Sequence, residues 1–202
     1  MLRIEVYSDY VCPYCFLAEA PLEAAVDRFE NLATIEWRPF ELRPHPTPTL
    51  KPEGDYLKNA WSSSVYPLAE RLGVKIVLPR VSPQPYTRLA FEGSLFAATH
   101  GAGRAYNHRM FAAFFQEERD IGDPAVLAEL ADEIGLDRAA FADALERRAY
   151  QEPCAQLLRH AYETLGVSSV PTIVVGRRAV AGLVPQERLE AMIAAELEAA
   201  AP

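Results

Sequence analysis

The tetrapeptide Cys12-Pro13-Tyr14-Cys15, at the junction of two periodicities, restricts this chain more than any other feature. Residues 2–7, Leu-Arg-Ile-Glu-Val-Tyr, alternate large apolar with polar side chains, as a short strand does. After the loop Ser8 to Val11 the pattern turns helical from Pro13, with Phe16, Leu17, Ala20, Leu22, Ala25, Val26 and Phe29 recurring near the helical period. Pro13 suits the first helical turn, where its missing N–H costs nothing, and Pro21 should kink the helix. Residues 33–42 alternate again. The result is a strand–helix–strand unit with Cys12 at the strand-to-helix turn.

Two cysteines at this spacing can bind zinc or carry redox chemistry. A zinc site needs a second ligand pair. The third cysteine, Cys154, is isolated, and His45, His100, His108 and His160 show no paired spacing, so no metal is expected. At a helix start, backbone N–H groups and the helix dipole favour a thiolate at Cys12. Cys15, one turn further in, is close enough to close a disulfide and too shielded to attack first. Pro13 and Tyr14 would tune the redox potential, within a range of about -270 to -120 mV for such centres. Cys154, on the helical stretch Pro153 to Leu158, reads as a small buried hydrophobe.

Beyond residue 42, Pro44, Pro46, Pro48 and Pro52 mark a loop leaving the sheet. From there to about 150 the signals are helical, over 55–72, 85–100 and 104–117, with further starts at Asp123-Pro124 and Asp137. Tyr106, Phe111, Phe114 and Phe115 read as helix core, some of it able to line a cleft; His100 and His108 read as surface or core histidines. Residues 151–165 form one more helix ending at Gly166. An apolar strand up to Gly176 follows, then a turn at Arg177 and Arg178, a short strand 179–181 and a closing helix 186–199. The fold class is α/β: a thioredoxin-like order β-α-β … α-β-β-α, a mixed four-stranded sheet with an all-helical insertion. The sheet domain takes residues 1–50 and 151–202, the insertion 51–150.

Val170-Pro171-Thr172 is the second signal. A proline opening an apolar strand inside a sheet would remove a ladder N–H, so it calls for a special geometry, and a cis bond is the expected one. Pro171 should then pack against the Cys12–Cys15 pair and leave the Val170 backbone free to hold an extended substrate.

Strand, Cys-Pro-Tyr-Cys, helix, strand, helical insertion and Gly166-Val-Ser-Ser-Val-Pro-Thr172 together resemble the DsbA-like thioredoxin superfamily, and within it the FrnE-like cytoplasmic branch. Pro39-Phe40-Glu41-Leu42-Arg43-Pro44, Phe114-Phe115-Gln116-Glu117 and Asp120-Ile121-Gly122-Asp123 extend the resemblance over almost the whole chain. It implies that Cys12 is the nucleophile, Cys15 the resolving thiol and Pro171 the facing cis-proline. A DsbA-like relative has an acidic residue in the first strand, so Glu5 is either a proton acceptor for Cys15 or an ordinary edge or surface glutamate. Longer FrnE-like proteins carry a second cysteine pair, for which Cys154 has no partner here.

The function these readings point to is that of a protein disulfide oxidoreductase or isomerase. Cys12 and Cys15 would exchange with protein or peptide thiols and disulfides, drawing on a cellular reductant or oxidant. No bound cofactor is expected, with glutathione a possible co-substrate. The alternative is a glutathione-dependent isomerase or transferase of the 2-hydroxychromene-2-carboxylate isomerase or kappa type. Those enzymes share the insertion but usually have serine at the first position. A third reading is a non-catalytic holdase or adaptor, against which both motif cysteines argue. A formal net charge of -8 argues against nucleic acid or an anionic membrane as partner. No run approaches the ~18 apolar residues of a membrane span, and the start Met-Leu-Arg-Ile-Glu reads as a strand rather than a secretory peptide, so a cytoplasmic location is expected.

Overall fold

The computed structural model describes residues 1–200. Strand β1 (Leu2–Ser8), helix α1 (Pro13–Asp27) and strand β2 (Ala33–Pro39) form the expected unit, with β1 and β2 parallel from Leu2 opposite Ala33 to Ser8 opposite Pro39. β2 stops at Pro39 rather than running to 42; one further backbone link, Phe40 N–H to the Ser8 carbonyl at 3.0 Å, closes that end. Helix α1 is not interrupted at Pro21. Proline there removes only the bond its N–H would have given Leu17, and the rest of the ladder carries the helix through.

Strands β3 (Thr172–Val175) and β4 (Arg178–Ala181) form an antiparallel hairpin. Its turn is Gly176-Arg177, and Arg178, expected in the turn, already belongs to β4. Gly176 sits at φ 58°, and a Cβ there would also collide with the Glu196 side chain, so glycine is needed for both reasons. β3 pairs antiparallel with β1, giving the order β2-β1-β3-β4 in which β1 and β3 are interior. On one face Ile4, Val6, Ile173 and Val175 are buried against Leu22 and Val26 of α1 and against Leu189 and Ile193 of the closing helix (Gln186–Ala199). Successive side chains alternate between faces, so Glu5 and Tyr7 point to the other side, where Tyr7 packs with Phe40 and Ala161.

Between β2 and β3 the regular elements of the described chain are all helical, with irregular stretches at 40–54 and 73–87. The chain runs through α2 (Asp55–Ala60), a π-helical turn (Trp61–Val65), α3 (Tyr66–Leu72), α4 (Arg88–Thr99), α5 (Gly103–Phe115), α6 (Pro124–Glu133), α7 (Arg138–Glu146) and α8 (Gln151–Arg159). α8 continues into a second π-turn, His160–Thr164. The starts read at Asp123 and Asp137 are real caps: their carboxylates accept from Ala125 N–H at 2.8 Å and Ala140 N–H at 2.9 Å. The closing helix of the chain is α9.

Tyr106, Phe111, Phe114 and Phe115 are fully buried, as expected of helix core. Their cluster includes Phe16, stacked on Phe115 with centroids 5.6 Å apart, and Tyr10, edge-on to Phe111 at 5.4 Å. Each such ring contributes roughly 1.5–3 kcal/mol by burial. Cys12 and Cys15 belong to the same cluster. The helical segment therefore shares its core with the loop and helix that carry the motif.

Candidate active site

Cys12 is the N-cap residue of α1, in extended backbone (φ -90°, ψ 111°), and its side chain caps nothing. The turn before it is tied down: Cys12 N–H donates to the Asp9 carbonyl at 3.0 Å. Cys15 N–H and Phe16 N–H return to the Cys12 carbonyl at 3.1 and 3.3 Å. Both cysteines are free thiols. Cys12 is 4% exposed and lines a cavity of about 290 Å³; Cys15 is fully buried beneath it. Burial first, then the neighbouring Cys12 sulfur, push the Cys15 thiol well above the ordinary range, while the Ser8 hydroxyl and the Asp9 backbone pull the other way. Ser8 is buried and its hydroxyl makes no hydrogen bond of regular geometry, which leaves it available to that sulfur.

The Val170–Pro171 bond is cis, as are His45–Pro46 and Ser82–Pro83. The Cys12 thiol points at the Val170 carbonyl oxygen, 3.6 Å away, so the structure brings the two sequence signals together. The backbone here is less free than the sequence suggests. The Pro171 carbonyl accepts from Gly182 N–H at 2.8 Å, and in this dithiol form the Val170 carbonyl faces Cys12. Pro13 and Tyr14 line the same cavity, and the Tyr14 hydroxyl lies 2.8 Å from Ser64 Oγ in the first π-turn.

Glu5 does not join this group. It lies on the sheet face opposite α1 and accepts two hydrogen bonds from Arg38, at 2.9 and 2.7 Å. The one-residue-in-two alternation of β1 turns it away from Cys15, and Arg38 occupies its carboxylate, so of the two readings the ordinary glutamate is the one its surroundings fit.

Asp9, which is not among the residues the sequence singles out, is 1% exposed and lines the cavity with Cys12. Its carboxylate accepts from Leu42 N–H at 2.7 Å and, more weakly, from Val11 N–H at 3.5 Å. Among the described residues no arginine or lysine forms an ion pair with it. Burial pushes it up to about 7, the Leu42 and Val11 backbone and the Thr87 hydroxyl pull it down, and Glu41 adds to the rise. An aspartate in a short loop whose side chain accepts from the N–H two residues on is a recognisable Asx-turn signal. That signal gives no hint of its burial, which comes from α4 and the segment after β2.

Cys154 is fully buried on α8 and lines no part of the cavity. Burial pushes its thiol up to about 12; Arg88 lowers it, and Glu92 and Glu41 raise it. His108 is exposed with Nδ1 2.9 Å from Glu19 Oε2, and His100 stacks on Phe96.

A mixed sheet interrupted by helices, with two thiols at the start of the helix after its first strand and a cis-proline loop facing them, defines a thioredoxin-fold protein with a dithiol centre. The chain belongs to the DsbA-like thioredoxin family: the family model described as a DSBA-like thioredoxin domain matches residues 3–194. It is 47% identical over 196 residues to the uncharacterised protein YwbO of Bacillus subtilis, covering 96% of this chain and 97% of that one. Among solved structures it is similar to a probable DsbA oxidoreductase from Streptomyces coelicolor, with a TM-score of 0.84 at 23% identity over 100% of this chain and 92% of the other. The cytosolic disulfide reductase DsbM from Pseudomonas aeruginosa, solved with GSH, gives 0.73 at 22% identity, over 98% and 100%. A 2-hydroxychromene-2-carboxylate isomerase gives 0.72 at 19%, over 98% and 95%. At these identities the solved structures share the fold, and the fold hosts more than one activity. Among the described residues no helix is long and apolar enough to cross a membrane.

Proposed function

We propose that the protein is a dithiol–disulfide oxidoreductase of the FrnE-like branch, acting in the cytoplasm on protein or peptide thiols and disulfides. The observation that carries this is the unequal placement of the two thiols: Cys12 lines the cavity beside the Val170 backbone, and Cys15 is sealed directly below it. The Cys12 thiolate attacks one sulfur of a substrate disulfide, forming a Cys12–substrate disulfide and releasing the other substrate sulfur as a thiolate. Cys15 then gives up its proton and attacks the Cys12 sulfur. The substrate leaves as a second thiol, and the protein holds the Cys12–Cys15 disulfide, two electrons poorer. Two molecules of a low-molecular-weight thiol such as glutathione restore the dithiol, the first forming a mixed disulfide and the second releasing it as the oxidised disulfide, and no bound cofactor is called for; run backwards, the same exchange steps oxidise a substrate dithiol.

The difficult step is ionising Cys15, which burial opposes. Asp9 is the proton acceptor in this reading. Its backbone acts on Cys15, the residue lines the cavity, and a carboxyl that burial pushes up to about 7 can both take and return a proton near neutral pH. In the glutathione-dependent isomerase or transferase reading, a sealed second thiol has no task. The test is incubation of Cys15→Ser with a mixed peptide disulfide. A stable adduct on Cys12 supports exchange; adduct on Cys154, or none, ends the proposal.

A further inference from the structure

Tyr56, Leu57 and Trp61 bring the helical segment into the cavity wall, and one short element of that segment does two things at once. Leu57, Trp61 and Ser64 lie along the continuous helical run α2, π-turn, α3, the last two within the π-turn itself. Leu57 and Trp61 line the cavity, and Ser64 Oγ meets the Tyr14 hydroxyl at 2.8 Å. Trp61 is held from behind by Tyr66 and Phe115, with ring centroids 5.3 and 6.0 Å away. Single π-turns inside α-helices recur at functional sites because the extra residue re-aims the side chains around it.

The chemistry of the mouth is lopsided. Leu42 and Tyr56 line it and are 45% and 69% exposed, an unusual position for large apolar side chains at a cavity rim. Arg43 is the single basic residue among the lining ones, and Asp9 the single acidic one, sealed at the base. A volume of about 290 Å³ lies at the small end of the few-hundred-Å³ range of ligand pockets, enough for one large side chain with its flanking backbone.

We infer that the π-turn Trp61–Val65 is a specificity element, forming with Tyr14 an apolar subsite for the side chain next to the cysteine of a peptide substrate. Trp61 supplies the apolar face. Ser64 fixes the Tyr14 ring as the opposite face, so the motif's own third residue becomes part of substrate selection. The inference rests on the exchange activity proposed above and names the substrates of the same site: extended chains carrying an uncharged, aromatic or aliphatic neighbour beside the cysteine.

The test compares two short peptide disulfides, identical except for Phe or Ser next to the cysteine, by kcat/KM for their reduction. The wild type is expected to favour the Phe peptide by roughly tenfold, the scale of one well-buried apolar group. Ser64→Ala and Tyr14→Phe should each cut that ratio by about threefold, and the double variant no further than either alone, because the two changes remove one bond. Should Ser64→Ala fail to fold, Tyr14→Phe removes the same bond from the other side. Equal rates for both peptides in the wild type, or ratios that fall independently in the two variants, would overturn the subsite while leaving exchange intact. Failure to reduce either peptide would instead overturn the exchange reading.

Discussion

The motif thiols and Cys154 are all buried, yet their surroundings differ in kind. Cys12 ends a loop and begins a helix, so its sulfur meets a cavity on one side and the Val170 carbonyl on another. Cys154 lies within α8, packed beneath ion pairs, where Arg88 holds Glu41 at 2.5 Å and Arg148 holds Glu92 at 2.5 Å. The lesson is that reactivity follows from access and from what can receive a proton, while burial alone does not distinguish a working thiol from an inert one.

The largest effect that could break this contrast comes from Cys12→Ser, which should bring disulfide reduction down to the uncatalysed rate in a standard turnover assay; retained activity would move the nucleophile elsewhere. Next is Asp9→Asn, which keeps an acceptor for Leu42 and removes the proton carrier. The reduction rate of the wild type should rise through about pH 7, following Asp9, and the variant should lose that inflection and turn over about tenfold more slowly at pH 7.5. An unchanged pH–rate profile would reduce Asp9 to a loop cap.

The same substitution sharpens the comparison through stability. The folded protein holds the Asp9 proton up to about pH 7, against an ordinary value of 3.8, so it binds more protons than the unfolded chain in between. Wild-type stability should therefore fall as pH rises across that window. Asp9→Asn should be the more stable protein at pH 8 by on the order of 2–4 kcal/mol and gain little at pH 4, as urea titrations at the two pH values would show. The smallest effect is expected from Cys154→Ala: turnover within about twofold and a loss of about 1 kcal/mol, as for a small buried group. A large loss of turnover with unchanged unfolding would bring a third thiol into the reaction.

Periodicity made much of this legible. The βαβ unit, the caps at Asp123 and Asp137 and the closing hairpin all rest on local patterns, and local forces decide them. The motif and Val170-Pro171 could be paired because each lies at a strand end whose partner strand was readable. What escaped detection depends on distant segments. Glu5 stays between two readings in the sequence because its face cannot be assigned before Ser8 to Val11 has a conformation, and Arg38, its partner, lies on another strand. Asp9 looked like a loop residue because its burial is imposed by Leu42 and Thr87, far along the chain. The π-turn was invisible within residues 55–72, since one turn of i→i+5 bonding is too short to leave a period of its own in the apolar pattern.

The central claim is that Cys12 and Cys15 form a redox pair that excludes Cys154. The direct measurement is equilibration of the protein in glutathione buffers of graded potential, acid quenching, and mapping of each cysteine by alkylation and mass spectrometry. A single two-electron transition is expected between about -270 and -120 mV, linking Cys12 to Cys15 while Cys154 stays a thiol throughout. No disulfide at any potential, or one that includes Cys154, would contradict the account.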